Sequence, residues 1–590
     1  MKRIQLVTTS LETIEDLATP IFLGNWCKND TYLIKNQKIV KYYWDDRDKL
    51  EQDYKYLNNL CEDLLKELTQ NLNKIHNRDC DIEYWRLLVG LWLLHFSGAL
   101  FERWKNIQNA LLQFKEINYF KKYKFNGDHV PSNLRGFSYI SQDSKWNHLI
   151  YSRIIGYLKK KHNLKININD QNEIKDKFYF SYKSSFVHRF KTSLLIFYQK
   201  FFGFLIKKNK FIIFKSYTGL TLEFFLNLFN MQMPVFFVNK DFQSKTDYGL
   251  RNKIKINLKC KNLFEEFLIQ NICDNIPKDV LEDFEKIEKY IQENNYPKRP
   301  NTIISTRSML GENVFIRYCA EMKRNGSIFI YGQHGGVYGH AKFSVTEDHE
   351  VKVSNKFLSW GWTTPDQSKI VPFGVLKNIE NFKFKINKKI SKACYFVRAR
   401  SKYTNRIDSS VGSNQMAKYY NYCLNFFDYY KSLNSNISIT PRFHEANFEW
   451  NHKEIWKKKY LDIELTSTNQ ESLKKVYKKY DILIYSYIST GFLESLSLDK
   501  PFLLISSLEE WPLRNTAYED FMMLKQAKIF FEDNEAALNH LINIKENINQ
   551  WWDSQEIKKI KINFKNKYAI SLNKFNKFNK FNKLLKYEKI

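Results

Sequence analysis

The chain has 590 residues, with 93 lysines and arginines against 63 aspartates and glutamates, a net charge of +30. That length exceeds one ordinary domain and calls for two substantial cores, while the charge suits nucleic acid, an anionic membrane face or phosphorylated substrates. Nucleic acid is set aside, because lysine is spread along the whole chain and no ribonucleoprotein signature, paired zinc-finger spacing or heptad-linked basic region occurs.

The first residues, Met1 to Val7, lack the apolar core and cleavage site of a signal peptide, so export is not expected. Residues 4–8 read as a strand and 10–13 as a helix start, followed by Phe22-Leu23-Gly24-Asn25-Trp26-Cys27 with a strand-like beginning and a polar end. From about 45 to 113 the apolar spacing is helical, and the Leu, Trp and Phe stripes there are assigned to packing. Residues 87–101 are too short to span a bilayer and read as a core helix. Residues 114–210 mix loops and helices, with a polar stretch at 167–176. Within them 194–206 is an apolar run flanked by His188, Arg189, Lys191, Lys207, Lys208 and Lys210; a basic helix on an anionic surface and a buried helix with solvated ends both account for it.

Residues 211–214 and 235–238 are buried-strand runs separated by a helical pattern, the signature of a parallel βαβ unit. After a mostly helical 263–295 comes the central stretch: strand 301–305, helix 308–324, an Asn325-Gly326 stop, and strand 327–331. Tyr331-Gly332-Gln333-His334-Gly335-Gly336 then sits where a parallel strand gives way to a loop, the edge of an open α/β sheet at which ligands bind. Short strands at 356–362 and 369–374 follow, and 383–392 is a lysine-rich connection. A second alternating series runs from strand 393–397 through helix 415–433, strand 437–440, helix 473–480, strand 482–485, helix 491–498 and strand 502–505. The eight cysteines, without a C-x-x-C pair, argue for reduced thiols in the cytosol rather than disulfides or structural zinc. The tail repeats Asn-Lys-Phe at 573, 576 and 579; a membrane-surface helix and a disordered tract both fit, and disorder away from the membrane is expected.

Three sites carry chemistry. His334, with Gln333 beside it and Gly335, Gly336 and Tyr338 in its loop, is placed to act as general base on an acceptor hydroxyl. Arg442 and His444 after one strand, with Arg398 and Arg400 after another, suit a diphosphate. Ser489, Thr490 and Gly491 open a helix whose backbone amides favour anions, and Glu494 on its first turn is placed for ribose hydroxyls. Each residue also has a plainer reading as a satisfied histidine, a surface charge or a helix cap. His334, His340, Glu347, Asp348, His349 and Glu350 crowd one segment, but no H-E-x-x-H spacing occurs, and no metal is expected. Glu350 and Glu347 are instead expected to orient His334 or meet the acceptor.

Asp481 to Thr490 resembles the donor-site motif of CDP-glycerol glycerophosphotransferases and capsule polysaccharide transferases, and Leu493 to Pro501 resembles the ribose-binding helix of GT-B glycosyltransferases. Arg442-Phe443-His444-Glu445 stands where those families carry Lys-x-His-Pro, with Arg for Lys and Glu445 for Pro; Gln333-His334-Gly335 matches their His-Gly motif. The opening Leu6 to Leu11, Phe22 to Cys27, Gly332 to Gly336, His349-Glu350 and Phe357 to Trp362 resemble the transferase family associated with spirochaete-type O-antigen biosynthesis, over most of residues 1–510. The resemblance implies an α/β, GT-B-like fold, two Rossmann-type domains facing a cleft with a helical insertion in the first. Residues 1–385 would be the acceptor side, 386–570 the nucleotide-donor side and 571–590 a basic tail. It further implies a sugar moved from a nucleotide-activated donor to a glycan or lipid-linked glycan acceptor of O-antigen or capsule, without a cofactor or metal. The expected place is the cytoplasm, with possible contact at the inner membrane surface. A non-catalytic assembly protein and a transferase of phosphorylated alcohols are the alternatives.

Overall fold

The computed structural model describes residues 3–16, 18–28, 38–114, 116–121, 129–162, 166–170, 186–446 and 448–586. The polar stretch expected at 167–176 lies largely outside them. By compactness the chain forms two units that interleave in sequence: Met1–Phe214, Asn227–Phe329 and Ser401–Ile407 in the first; Lys215–Leu226, Ile330–Arg400 and Asp408–Ile590 in the second.

The first unit opens with a parallel sheet of β1 (Arg3–Val7), β2 (Ala18–Phe22), β3 (Lys38–Ile39), β4 (Ile117–Lys121) and β5 (Ile166–Asp170), in the order β3-β2-β1-β4-β5. Residues 10–13 do not open a helix. The Glu12 carboxylate instead accepts from the Thr8 amide and hydroxyl, each at 2.5 Å, and lies 2.7 Å from Nδ1 of buried His148, which folds the segment into a turn after β1. The helical stretch appears as Arg47–His76 and Leu91–Gln113, whose leucine and tryptophan faces are buried as the apolar spacing requires. The helix Ser144–His162 also buries its apolar face. β6 (Phe211–Phe214) pairs in parallel with β7 (Thr302–Ser305). The run 235–238 is not a strand: the Phe236 amide bonds the Gln199 side chain at 3.2 Å, and Phe237 stacks on Tyr296 at 4.3 Å. Its apolar side chains are buried by ring packing, which periodicity does not distinguish from a sheet.

β8 (Ile328–Gly332) carries the chain from the first unit into the second. There β8, β9 (Lys356–Ser359) and β10 (Ile370–Pro372) pair side by side in parallel. The rest of the second unit is built on β11 (Lys392–Phe396), β12 (Ser438–Phe443), β13 (Thr466–Ser467), β14 (Ile482–Tyr485), β15 (Phe502–Ile505) and β16 (Phe530–Phe531). They are parallel throughout, in the order β13-β12-β11-β14-β15-β16. This is the Rossmann order, and strand direction of crossover reverses between β11 and β14, where such sheets open a ligand crevice. The α/β, GT-B-like class expected of the sequence is therefore the class observed, with an N-terminal parallel sheet added to the expected helical insertion.

The tail is not disordered over its described residues. Lys574–Leu585 is a helix capped by the Asn573 side chain on the Asn576 amide, and Phe581 is buried against the Phe373 ring at 4.9 Å. Lys577 is buried as well: its Nζ donates to the carbonyls of Leu376 and Lys377 at 3.4 and 3.1 Å and to the Glu380 carboxylate at 2.9 Å. Those three acceptors compensate a charge that burial alone would make costly.

Candidate functional site

Every residue singled out in the sequence for chemistry lies in the second unit. β8 ends by donating the Gln333 amide to the Leu358 carbonyl at 2.9 Å. The Gln333 side chain is fully buried and serves the loop rather than a substrate. Its Oε1 accepts from the Trp360 amide and from Nε1 of Trp362, both at 2.8 Å, and its Nε2 donates to the Gly335 carbonyl at 2.9 Å. Gln333, named with His334 and Glu350 as a catalytic candidate, braces the loop in this structure.

His334 stands next on this braced loop, its side chain 18% exposed. Its Nε2 lies 2.9 Å from Glu350 Oε1 and 3.2 Å from the Tyr338 hydroxyl, which donates to Glu350 Oε2 at 2.9 Å. Glu350 is fully buried on the helix Val345–Val353, with the imidazole of His334 and the hydroxyl of Tyr338 against its two oxygens. Burial pushes the Tyr338 hydroxyl well above its ordinary pKa, and the charge of Glu350 pushes the same way, so Tyr338 stays a donor. With Glu350 ionised, Nε2 carries the imidazole proton and Nδ1 is the basic nitrogen. A carboxylate that orients an imidazole and stabilises its protonated form is the arrangement of a general base.

The loop then reaches the second motif. The Gly336 amide donates to the Thr490 hydroxyl at 2.9 Å, and a Cβ on Gly336 would lie 2.3 Å from Thr490 Cα. Only a glycine lets the two backbones approach so closely. Gly339 adopts φ +80° and donates its amide to Glu347 at 3.1 Å. Glu347 in turn accepts from Arg514 at 2.5 Å, and Arg514 also donates to the Ala341 carbonyl at 2.8 Å. Burial raises the Glu347 pKa to about 7, with Arg514 opposing. The expected metal-like crowd is thus divided among separate partners, and among the described residues no group of three or more His, Cys, Asp or Glu side chains is arranged to hold a metal ion.

His340 packs among the rings of Phe492, Phe521 and Tyr568, at 6.1, 5.4 and 5.9 Å, and burial lowers its pKa to about 3. His452 and His540 are lowered to about 4 by burial. All three are neutral in the fold but bind a proton in the unfolded chain below about pH 6.5. Their contribution to stability is complete above that pH and is lost as pH falls toward 4, by about 1.4 kcal/mol per unit for each histidine. Glu347 titrates in the opposite sense over the same range, so the histidine share is read by difference: the fall in unfolding midpoint between about pH 7 and about pH 5 should be smaller in His452→Gln than in the parent chain, and an unchanged fall would contradict the burial of His452 as a neutral group.

On the other side of Thr490 is the crevice between β11 and β14. The helix Thr490–Ser497 is capped by Ser489, whose hydroxyl accepts from the Gly491 amide at 3.2 Å. The Ser489 and Thr490 hydroxyls are therefore engaged in a cap and a loop contact, and the groups left to meet an anion are amides of the first helical turn. Glu494 is buried. One carboxylate oxygen accepts from Lys377 Nζ, and the other, Oε2, has no hydrogen-bond partner. Burial raises its pKa, with Lys377 opposing. A buried carboxylate oxygen without a partner is costly unless a ligand hydroxyl completes it.

The expected arginines surround this place but are not free forks. Arg442 donates through both terminal nitrogens to the Glu471 carbonyl, at 3.0 and 2.8 Å. Arg400 bonds Ser410 and Asp408 at 3.0 and 3.2 Å; Arg398 bonds the Val411 carbonyl at 2.9 Å and lies over the Trp511 ring at 4.2 Å. His444 is exposed, its Nδ1 accepting from the Ala446 amide at 3.0 Å. Arg398 and Arg442, together with Glu494, meet at Tyr487. Burial raises the pKa of its hydroxyl, and the charges of Arg398, Glu494 and Arg442 all act on it. Tyr487 lies within the Asp481 to Thr490 motif but is given no role by the sequence, and Lys377 stands in no motif; it meets Glu494 across 117 residues.

Parallel Rossmann-type sheets, with a carboxylate-backed imidazole after a strand of one sheet and an anion-favouring helix start after a strand of another, define a group-transfer enzyme of the α/β class. The model of the LIC12162 family transferases matches residues 4–580, and the chain belongs to that family. No curated protein matches the sequence. Among solved structures, the S. aureus MnaA–UDP co-structure is 12% identical over 64% of this chain and 96% of its own, with a TM-score of 0.37. A Thermobaculum terrenum O-GlcNAc transferase mutant is 9% identical over 90% and 98%, with a TM-score of 0.32. A Burkholderia multivorans alpha,alpha-trehalose 6-phosphate synthase is 9% identical over 52% and 77%, with a TM-score of 0.29. Likenesses this distant say nothing of activity.

Proposed function

We propose that this transferase moves a sugar from a nucleotide-activated donor to a hydroxyl of a growing cell-surface polysaccharide, O-antigen or capsule. The observation that carries the reading is the Gly336–Thr490 contact, which joins the loop of His334 to the start of the helix bearing Glu494. Two sheets of one unit, joined at this contact, thereby offer a base for an acceptor hydroxyl and a seat for a nucleotide diphosphate. His334 would take the proton as the acceptor oxygen bonds the anomeric carbon and the bond to the diphosphate breaks. The helix amides, with the charges of Arg398 and Arg442 nearby, would stabilise the negative charge of the leaving diphosphate. Glu494 Oε2 would accept from the ribose hydroxyls, which gives the orphan oxygen its partner.

Calorimetric titration with CMP, CDP, UDP and GDP, with and without magnesium, tests the donor side. One nucleotide should bind, and Glu494→Gln should weaken it by roughly tenfold to a hundredfold, the worth of a hydrogen bond to a charged group. Arg442→Ala should weaken it less, because that guanidinium is already bonded to a carbonyl. Binding of CDP without sugar turnover would favour transfer of a phosphorylated alcohol. If folded protein binds no nucleotide, the reading gives way to a non-catalytic assembly protein.

A further inference from the structure

Far from the site in sequence, the helix Phe186–Phe201 and the short turn of helix Gly203–Ile206 present an apolar stripe outward. Phe190, Leu194, Phe197, Phe201, Phe204 and Leu205 are each between 50% and 72% exposed. At about 100° per residue, the four on the longer helix fall within about 60° of one another. Lys191 and Lys200, both exposed, fall about 90° to either side of that stripe. Lys207 and Lys208 follow at its end, and Lys208 Nζ lies 3.9 Å above the Phe204 ring.

The opposite face is fixed in the first unit. Gln199, about 170° from the stripe, is buried and bonds the Phe236 amide and the Asn294 carbonyl, both at 3.2 Å. Tyr198 meets the Phe236 ring edge to face at 5.5 Å and donates to the Pro234 carbonyl at 3.3 Å. The helix has therefore already buried the face it uses for folding, and the exposed stripe is a second apolar face. A run of phenylalanines left outward is a binding surface rather than a folding residue set, since monomers seldom expose large apolar patches.

We propose that this stripe docks the protein on a bilayer rich in anionic lipid. Lysines on both rims of an apolar band match a surface that is apolar below its headgroups and negative at them: the rings enter the interface while the lysine stems let the ammonium groups reach phosphate. The proposal does not rest on the glycosyl reading of the site.

Sedimentation of the full chain with vesicles tests it. Phosphatidylcholine vesicles containing one part in four phosphatidylglycerol should bind at least about tenfold better than phosphatidylcholine alone, and salt should reduce the difference. The triple variant Phe197→Ser, Phe201→Ser, Phe204→Ser should lose about tenfold or more in partition at any salt, with an unchanged unfolding midpoint because all three rings are exposed. Replacing Lys191, Lys200, Lys207 and Lys208 with glutamine should weaken the salt dependence. In a separate variant, Phe204→Trp should shift its emission to the blue on adding the anionic vesicles. Wild-type partition retained by the triple variant would overturn the proposal. So would a dimer that the triple variant dissolves while neither protein binds vesicles, for then a second copy covers the face.

Discussion

Replacing His334 with alanine is expected to lower turnover by about 10²–10⁴-fold, the range for a positioned general base, while leaving nucleotide affinity nearly unchanged. The separation follows from the geometry. The imidazole is held by Glu350 and Tyr338, whereas the helix start is capped by Ser489 and Glu494 is paired with Lys377. Glu350→Gln should produce a smaller loss, because the amide keeps the shape but no longer stabilises a protonated imidazole. Tyr338→Phe should be milder still, removing one neutral donor from the pair. Single-turnover rates with a saturating donor, set beside calorimetric affinities, read the two effects apart. Equal loss of turnover and binding in His334→Ala would reduce the histidine to a part of the loop.

Gly336→Ala should abolish both activities together. The added methyl would meet Thr490 Cα at 2.3 Å and Thr490 N at 2.4 Å, so the obstacle is backbone and cannot swing aside. Either the loop lifts and carries His334 with it, or the helix start shifts and disturbs the diphosphate seat. Turnover should fall by about a hundredfold or more, as small misplacements of reacting groups do, and stability by about 1–3 kcal/mol, the usual cost of overpacking. Gly156→Ala makes the control, since nothing lies within 4 Å of a Cβ there and the site is helical. That variant should keep full activity and gain up to about 1 kcal/mol. Full activity in Gly336→Ala would mean that the two motifs work without touching.

The elements that the sequence specified well are those with strong local signals. β8, β11, β14 and β15 are short, mostly apolar runs between turn residues, and the Ser489 cap marks its helix start, whereas β13, Thr466-Ser467, carries no such signal and was not expected. The N-terminal sheet was less legible because β5 reads Ile-Asn-Ile-Asn-Asp and β4 mixes Asn, Tyr and Lys, so neither stands out by hydrophobicity. Residues 235–238 erred the other way, an apolar run whose burial comes from stacked rings. Of the site, the motifs were visible but their partners were not. Local sequence placed Glu494 on the helix but did not show that Lys377 takes one of its oxygens and leaves the other open. Nor did it show that Arg442 is already bonded to a carbonyl, or that Gln333 faces inward to two tryptophans.

The tail helix gives the Asn-Lys-Phe repeat a meaning in terms of inheritance. Short repeats gain and lose units when DNA is copied, and in most helices the loss of three residues would rotate every contact out of place. Here removal of one unit restores an asparagine at the cap, a lysine at 577 and a lysine at 580, and sets a leucine in the place of Phe581. The lysine that grips the carbonyls of Leu376 and Lys377, beside the partner of Glu494, would survive the error. The repeat thus keeps the cap and both lysines through the mutation its own periodicity invites, and the cost falls on the helix end, where a tyrosine and a glutamate would take the buried places of Leu584 and Leu585.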